Sequence, residues 1–150
     1  MIVVIIIFFP ENWEFPNELS MKQLWTYWYS GNKEEKIPPY RNLNDGNDVN
    51  RSNFRKRYSI ATKVMKEFSK FIMESKDPIY IPEGMKDFWE ITKAKRDEIG
   101  ALAYEPYVKK VSEAANKTYI PGQDITYDAM HKLIAAAYRR SRRRKLEEEE

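Results

Sequence analysis

Residues Ser52–Ser75 read SNFRKRYSIATKVMKEFSKFIMES, and this stretch decides the fold. Phe54, Tyr58, Ala61, Met65, Phe68 and Ile72 are spaced four, three, four, three and four residues apart. Side chains at that spacing share one face of an α-helix, whereas a strand would need strict alternation. Ser52, Lys56, Ser59, Lys63, Lys66 and Lys70 repeat the same spacing two residues earlier. Two residues turn a helix by about 200°, so the lysines stand opposite the apolar stripe. The stretch therefore predicts one long helix with a core face and a ridge of positive charge.

Upstream, Ser20 and Gln23 form an S-x-x-Q capping box. Met21, Leu24, Trp25 and Trp28 follow at helical spacing, and Gly31 supplies a stop. Residues 32–50 are polar and hold Pro38, Pro39 and Gly46. They read as a loop with Ile37, Tyr40 and Leu43 as anchors. Downstream, Pro78 and Pro82 predict an extended segment over 77–82. A third helical stretch is expected from about Glu83, carrying Phe88, Trp89, Ile91, Ile99 and Leu102 until Pro106 ends or kinks it. A short helix over 107–115 and a turn over 119–122 follow. The last helix is capped by Asp124 or Thr126, shows Tyr127, Met130, Leu133, Ile134 and Ala137 on one face, and should fray beyond about Arg140.

The expected fold is all-α: four or five helices around one core, with a Pro-containing loop after the first helix. The core should gather Trp25, Trp28, Phe54, Tyr58, Met65 and Phe68. Residues 20–138 form the helical domain, flanked by an apolar and acidic segment, 1–19, and a charged tail, 139–150. The run MIVVIIIFF at 1–9 is too short to span a membrane and lacks the basic start of a secretory signal. It reads either as a buried strand or as lying outside the fold.

With 42% apolar and 33% charged residues, the composition is that of a folded domain. The chain has no cysteine, which excludes disulfides and thiolate zinc sites. The net charge of +3 conceals an asymmetry. Of the 23 acidic residues, three lie in 1–20 and four in 147–150, so the stretch between carries all 26 basic residues against 16 acidic ones. Such a field favours polyanionic partners. At 139–145, Arg139, Arg140, Arg142, Arg143, Arg144 and Lys145 put six positive charges into seven residues, which fits a nucleic-acid contact or an import signal as well as a charge-balanced tail.

Nothing in the sequence asks for catalysis, a metal or a cofactor. The only histidine, His131, reads as a packing or surface residue. There is no glycine-rich phosphate loop and no G-x-S-x-G motif, and the carboxylates are scattered and usually sit beside Lys or Arg, as in Lys33-Glu34-Glu35-Lys36.

Leu24-Trp25-x-x-Trp28, Gly31-Asn32, Ile37-Pro38-Pro39-Tyr40-Arg41 and Lys56-Arg57-x-Ser59 occur in that order. Over about residues 20–73 this resembles the DNA-binding domain of the transcriptional activators of glycolytic enzymes, a domain also found in fungal and oomycete transposon-related proteins. The resemblance implies a structural W-x-x-W helix, a loop, and a basic helix that meets DNA, with Arg41, Lys56 and Arg57 as contacts. The Asn/Asp-rich loop at 44–50, with Asp45 and Asp48, departs from a DNA-facing surface, and residues 76–120 match nothing in the family.

The expected function is therefore DNA binding in the nucleus, as a transcription-factor-like or transposon-related domain with no catalytic residues. The expected DNA-binding residues are Arg41, Arg55, Lys56, Arg57, Lys63, Lys66, Lys70, Arg139, Arg140, Arg142 and Arg143. Duplex DNA is the expected partner; RNA or an acidic protein are the alternatives, the latter making the chain a helical interaction module with a basic face. No membrane contact is expected.

Overall fold

The computed structural model describes residues 15–43, 52–75 and 84–148, with Ser52, Asn53 and Phe54 as backbone only. The predicted burial of Phe54, the extended segment at 77–82 and the apolar run at 1–9 lie outside the described residues. Those residues hold four α-helices and no strand: α1 (Met21–Ser30), α2 (Ser52–Glu74), α3 (Lys93–Ala114) and α4 (Tyr127–Glu148). The fold is all-α, as the periodicity predicts.

α1 starts where the capping residues require. The Ser20 hydroxyl oxygen accepts from the Gln23 backbone N–H and donates to the Gln23 side chain. Gly31 ends the helix at φ 73°, with its N–H donating to the Tyr27 carbonyl. A Cβ there would stand 2.5 Å from the Ile37 carbonyl oxygen, because Asn32 and Ile37 pair directly behind it. The Pro38-Pro39 turn then leads into a 3-10 turn, Tyr40–Asn42, that buries Tyr40. The anchors Ile37, Tyr40 and Leu43 are all buried.

One core holds the helices together. Trp25 is its hub, 2% exposed, with the rings of Tyr29, Phe68 and Phe88 at 5.0–5.1 Å. Its indole N–H donates to the Arg96 carbonyl at 2.8 Å. Burying such a ring removes roughly 200 Å² from water, up to about 5 kcal/mol before conformational entropy is set against it. Trp28, 8% exposed, Met65 and Phe68 are buried in the same cluster, and Tyr58 is half-buried against it. α1 lies antiparallel to α3: Lys22 covers the Tyr104 ring, and Thr26 bonds to Asp97. Phe68 stacks on Tyr107 with ring planes 2° apart, joining α2 to α3.

Three expectations need correction. The helix expected from Glu83 is a 3-10 turn at Phe88–Glu90, and α3 begins only at Lys93, where the Thr92 hydroxyl accepts from the Lys95 N–H. Pro106 does not end it. That residue sits on the exposed face, and the Leu102 carbonyl it leaves without an amide partner belongs to a turn facing water. Second, the core does not start at residue 20. Phe15 is fully buried among Tyr40, Tyr58 and Tyr127, and the Tyr127 hydroxyl donates to the Pro16 carbonyl. Residues 15–19 belong to the domain. Third, α4 does not stop near Arg140 but continues to Glu148.

Candidate nucleic-acid interface

α2 and α4 run in the same direction. Ile60 and Tyr127 line one depression at their starts, and Phe71, Glu74, Ala137 and Tyr138 line another further on. The basic residues therefore sort by end.

At the first end, Lys56 and Arg57 sit in a depression of about 680 Å³ with Asn17, Glu18, Thr126 and Asp128. The acidic neighbours offset their charge, and Asp128 pairs with Lys132 at 3.3 Å. Arg57 is half-buried, and its guanidinium donates to the Phe15 carbonyl at 3.0 Å. That bond fastens the segment before α1 to α2. Arg57 thus lies apart from Lys63, Lys66 and Lys70, with part of its fork committed inside the fold. Lys56 and Arg55 are exposed.

Arg41 is also engaged. It pairs with Asp87 at 3.2 Å and lies 4.9 Å from the centre of the Trp89 ring and 5.3 Å from that of Tyr29. Desolvation pushes the Asp87 carboxyl up. The hydrogen bond from Arg41, the Trp89 N–H and the charge of Arg41 outweigh it and hold the group below the usual carboxylate range. Arg96 packs against the same two rings and donates to the Phe88 and Ile91 carbonyls. Arg41 is a clamp between the loop after α1 and the turn before α3.

At the other end the charge is free. Lys63, Lys66 and Lys70 are exposed and in no ion pair among the described residues. They edge a groove of about 760 Å³ between the later halves of α2 and α3 and the first half of α4 up to Tyr138. Lys110 of α3 joins them, its ammonium 5.3 Å from the centre of the Phe71 ring. Phe71, Tyr107, Val111 and Ile134 give the groove an apolar lining, with His131 and the 64%-exposed Tyr138 from α4. Glu67 and Glu74 stand among the lysines. Both share the lysines' helical phase, a signal present in the sequence that reading the lysines alone overlooks. Lys110 could be placed here only once α3 was packed.

Beyond the groove, Arg140 donates to the Glu113 and Ala114 carbonyls, capping the C-terminus of α3. The next eight residues extend α4 by about 12 Å and are exposed throughout. Arg139, Arg142, Arg143, Arg144 and Lys145 surround this helical end, and Glu147 and Glu148 close it. Of the expected contacts, the fold thus brings Lys63, Lys66, Lys70, Arg139, Arg142 and Arg143 toward one end. It assigns packing bonds to Arg41, Arg57 and Arg140.

Among the described residues no helix is long and apolar enough to cross a membrane, and no three His, Asp or Glu side chains gather as metal ligands would. No family model, curated protein or solved structure matches the chain.

Proposed function

We propose that the protein binds nucleic acid, duplex DNA in the first place, through the projecting basic end of α4 with the lysine ridge of α2 beside it. The observation that carries this is the continuation of α4 as a helix past the bundle, with Arg139, Arg142, Arg143, Arg144 and Lys145 exposed. A helix about 10–12 Å across fits a major groove about 12 Å wide. Arginine forks on its surface can read guanine edges, while lysines hold phosphates as point charges. The resemblance of residues 20–73 supports the same reading, as a nuclear transcription-factor-like or transposon-related domain. Because Arg41 and Arg57, two of the contacts it implies, are held in packing bonds, the contacts proposed here lie mainly on α4.

The test is a band shift with random duplex DNA, then RNA, at two salt concentrations. Each phosphate contact removed lowers the slope of log affinity against log salt by about 0.9 on duplex DNA. Arg142→Ala with Arg143→Ala should weaken binding and flatten that slope; Lys63→Ala with Lys66→Ala should do so on all sequences alike. Binding as tight as the parent's at both salts, in both double variants, would refute the reading. Preference for RNA over duplex would shift it to RNA.

A further inference from the structure

The apolar lining of the groove between α2, α3 and α4 is chemistry that DNA binding leaves unused. We propose that the groove docks a short acidic amphipathic helix of a partner protein. The partner's apolar side chains would rest on Phe71, Tyr107, Val111 and Ile134, and its carboxylates would meet Lys63, Lys70 and Lys110. This goes beyond the DNA-binding reading and does not depend on it.

Three observations point to this occupant. First, the groove is concave with an apolar lining. A phosphodiester backbone has no apolar side chains to bury there, whereas a helix-in-groove partner supplies them at i, i+3 or i+4, and i+7. At about 760 Å³ the groove admits a few large side chains rather than a whole helix. Second, four lysines edge it, of which Lys63, Lys66 and Lys70 form no ion pair among the described residues. Their aliphatic stems extend the apolar surface while the ammonium groups reach solvent. Third, Glu67 and Glu74 interrupt the lysines. A peptide can place neutral or polar residues opposite these two carboxylates and its own carboxylates opposite the lysines between them. The exposed Tyr138 adds an aromatic anchor of the kind enriched at protein interfaces.

The experiment sorts a displayed library of random helical peptides, each about 16 residues long, on the full chain, then measures one recovered peptide by fluorescence anisotropy. Recovered sequences should be rich in Asp and Glu, with Leu, Phe or Trp at helical spacing. Ala135→Glu, which places a carboxylate at the groove without emptying the core, should weaken the peptide at least about tenfold, and Lys70→Glu with Lys110→Glu should do the same. Arg142→Ala with Arg143→Ala should leave peptide affinity unchanged, which separates this site from the α4 contacts. Circular dichroism of each variant confirms that it is folded. Recovery of basic or featureless peptides, or affinity indifferent to the groove variants, overturns the proposal. So does self-association of the full chain that Ala135→Glu abolishes, since the occupant is then a second copy. Loss of DNA and peptide in parallel in every groove variant also overturns it, because the groove then belongs to the DNA face.

Discussion

Replacing Gly100 by alanine should destabilise the protein, although the same change in an open helix stabilises. A Cβ on Gly100 would lie 2.5 Å from Trp25 Nε1 and 3.0 Å from its Cγ, well inside an ordinary contact of about 3.5 Å. The indole has nowhere to withdraw. It is walled in by Tyr29, Phe68 and Phe88 and tied to the Arg96 carbonyl. Alanine gains about 1 kcal/mol in helix propensity. Against this stand about 1–3 kcal/mol for overpacking and about 1 kcal/mol or more if the indole bond breaks. The net loss is about 1–3 kcal/mol, which lowers Tm by about 3–10 °C in a domain of this size. Urea and thermal unfolding followed by circular dichroism measure it. A smaller ring should make room, so Trp25→Phe combined with Gly100→Ala should cost less than the two changes summed, by about 1 kcal/mol. A Gly100→Ala protein as stable as the parent, or more so, would refute the close packing of α1 on α3.

Three further outcomes follow from the same structure. Tyr104→Phe removes a buried hydroxyl that donates to the Gln123 carbonyl at 2.7 Å and accepts from the Ile125 N–H at 2.8 Å; it should cost about 1–3 kcal/mol and speed hydrogen exchange at Ile125. Deleting residues 141–150 should change stability by less than about 0.5 kcal/mol, since 141–148 are exposed, while weakening DNA in a band shift; a loss of several kcal/mol would mean the tail packs. The Arg41–Asp87 contact stabilises the fold above the ordinary carboxylate pKa of about 4, because Asp87 is depressed in the folded state. That contribution fades as pH falls through the depressed value, so Tm of the parent and of Asp87→Asn should converge in acid and differ modestly at neutral pH, the aspartate being half exposed.

What the sequence determined by itself was what local periodicity and capping can carry. The stripe from Phe54 to Ile72 sets the length of α2 and aims its lysines at solvent, because 3.6 residues per turn maps spacing directly onto faces. The Ser20 cap and Gly31 stop bound α1 through backbone groups that must be satisfied on the spot. Packing decided the rest. Pro106 breaks a helix in general, but here it falls on the side facing water, and only the docking of α3 says which side that is. Arg41, Arg57 and Arg140 look like the other arginines in sequence. They differ because the Asp87 carboxylate, the Phe15 carbonyl and the end of α3 come within reach from 46, 42 and 26 to 27 residues away. Charge is local, but the freedom of a charge is not. Whether an arginine can meet a phosphate depends on what already holds it, and long-range packing alone fixes that. For the same reason the groove edged by Lys63, Lys70 and Lys110 exists in no single stretch of the chain, since three helices must come together to form it.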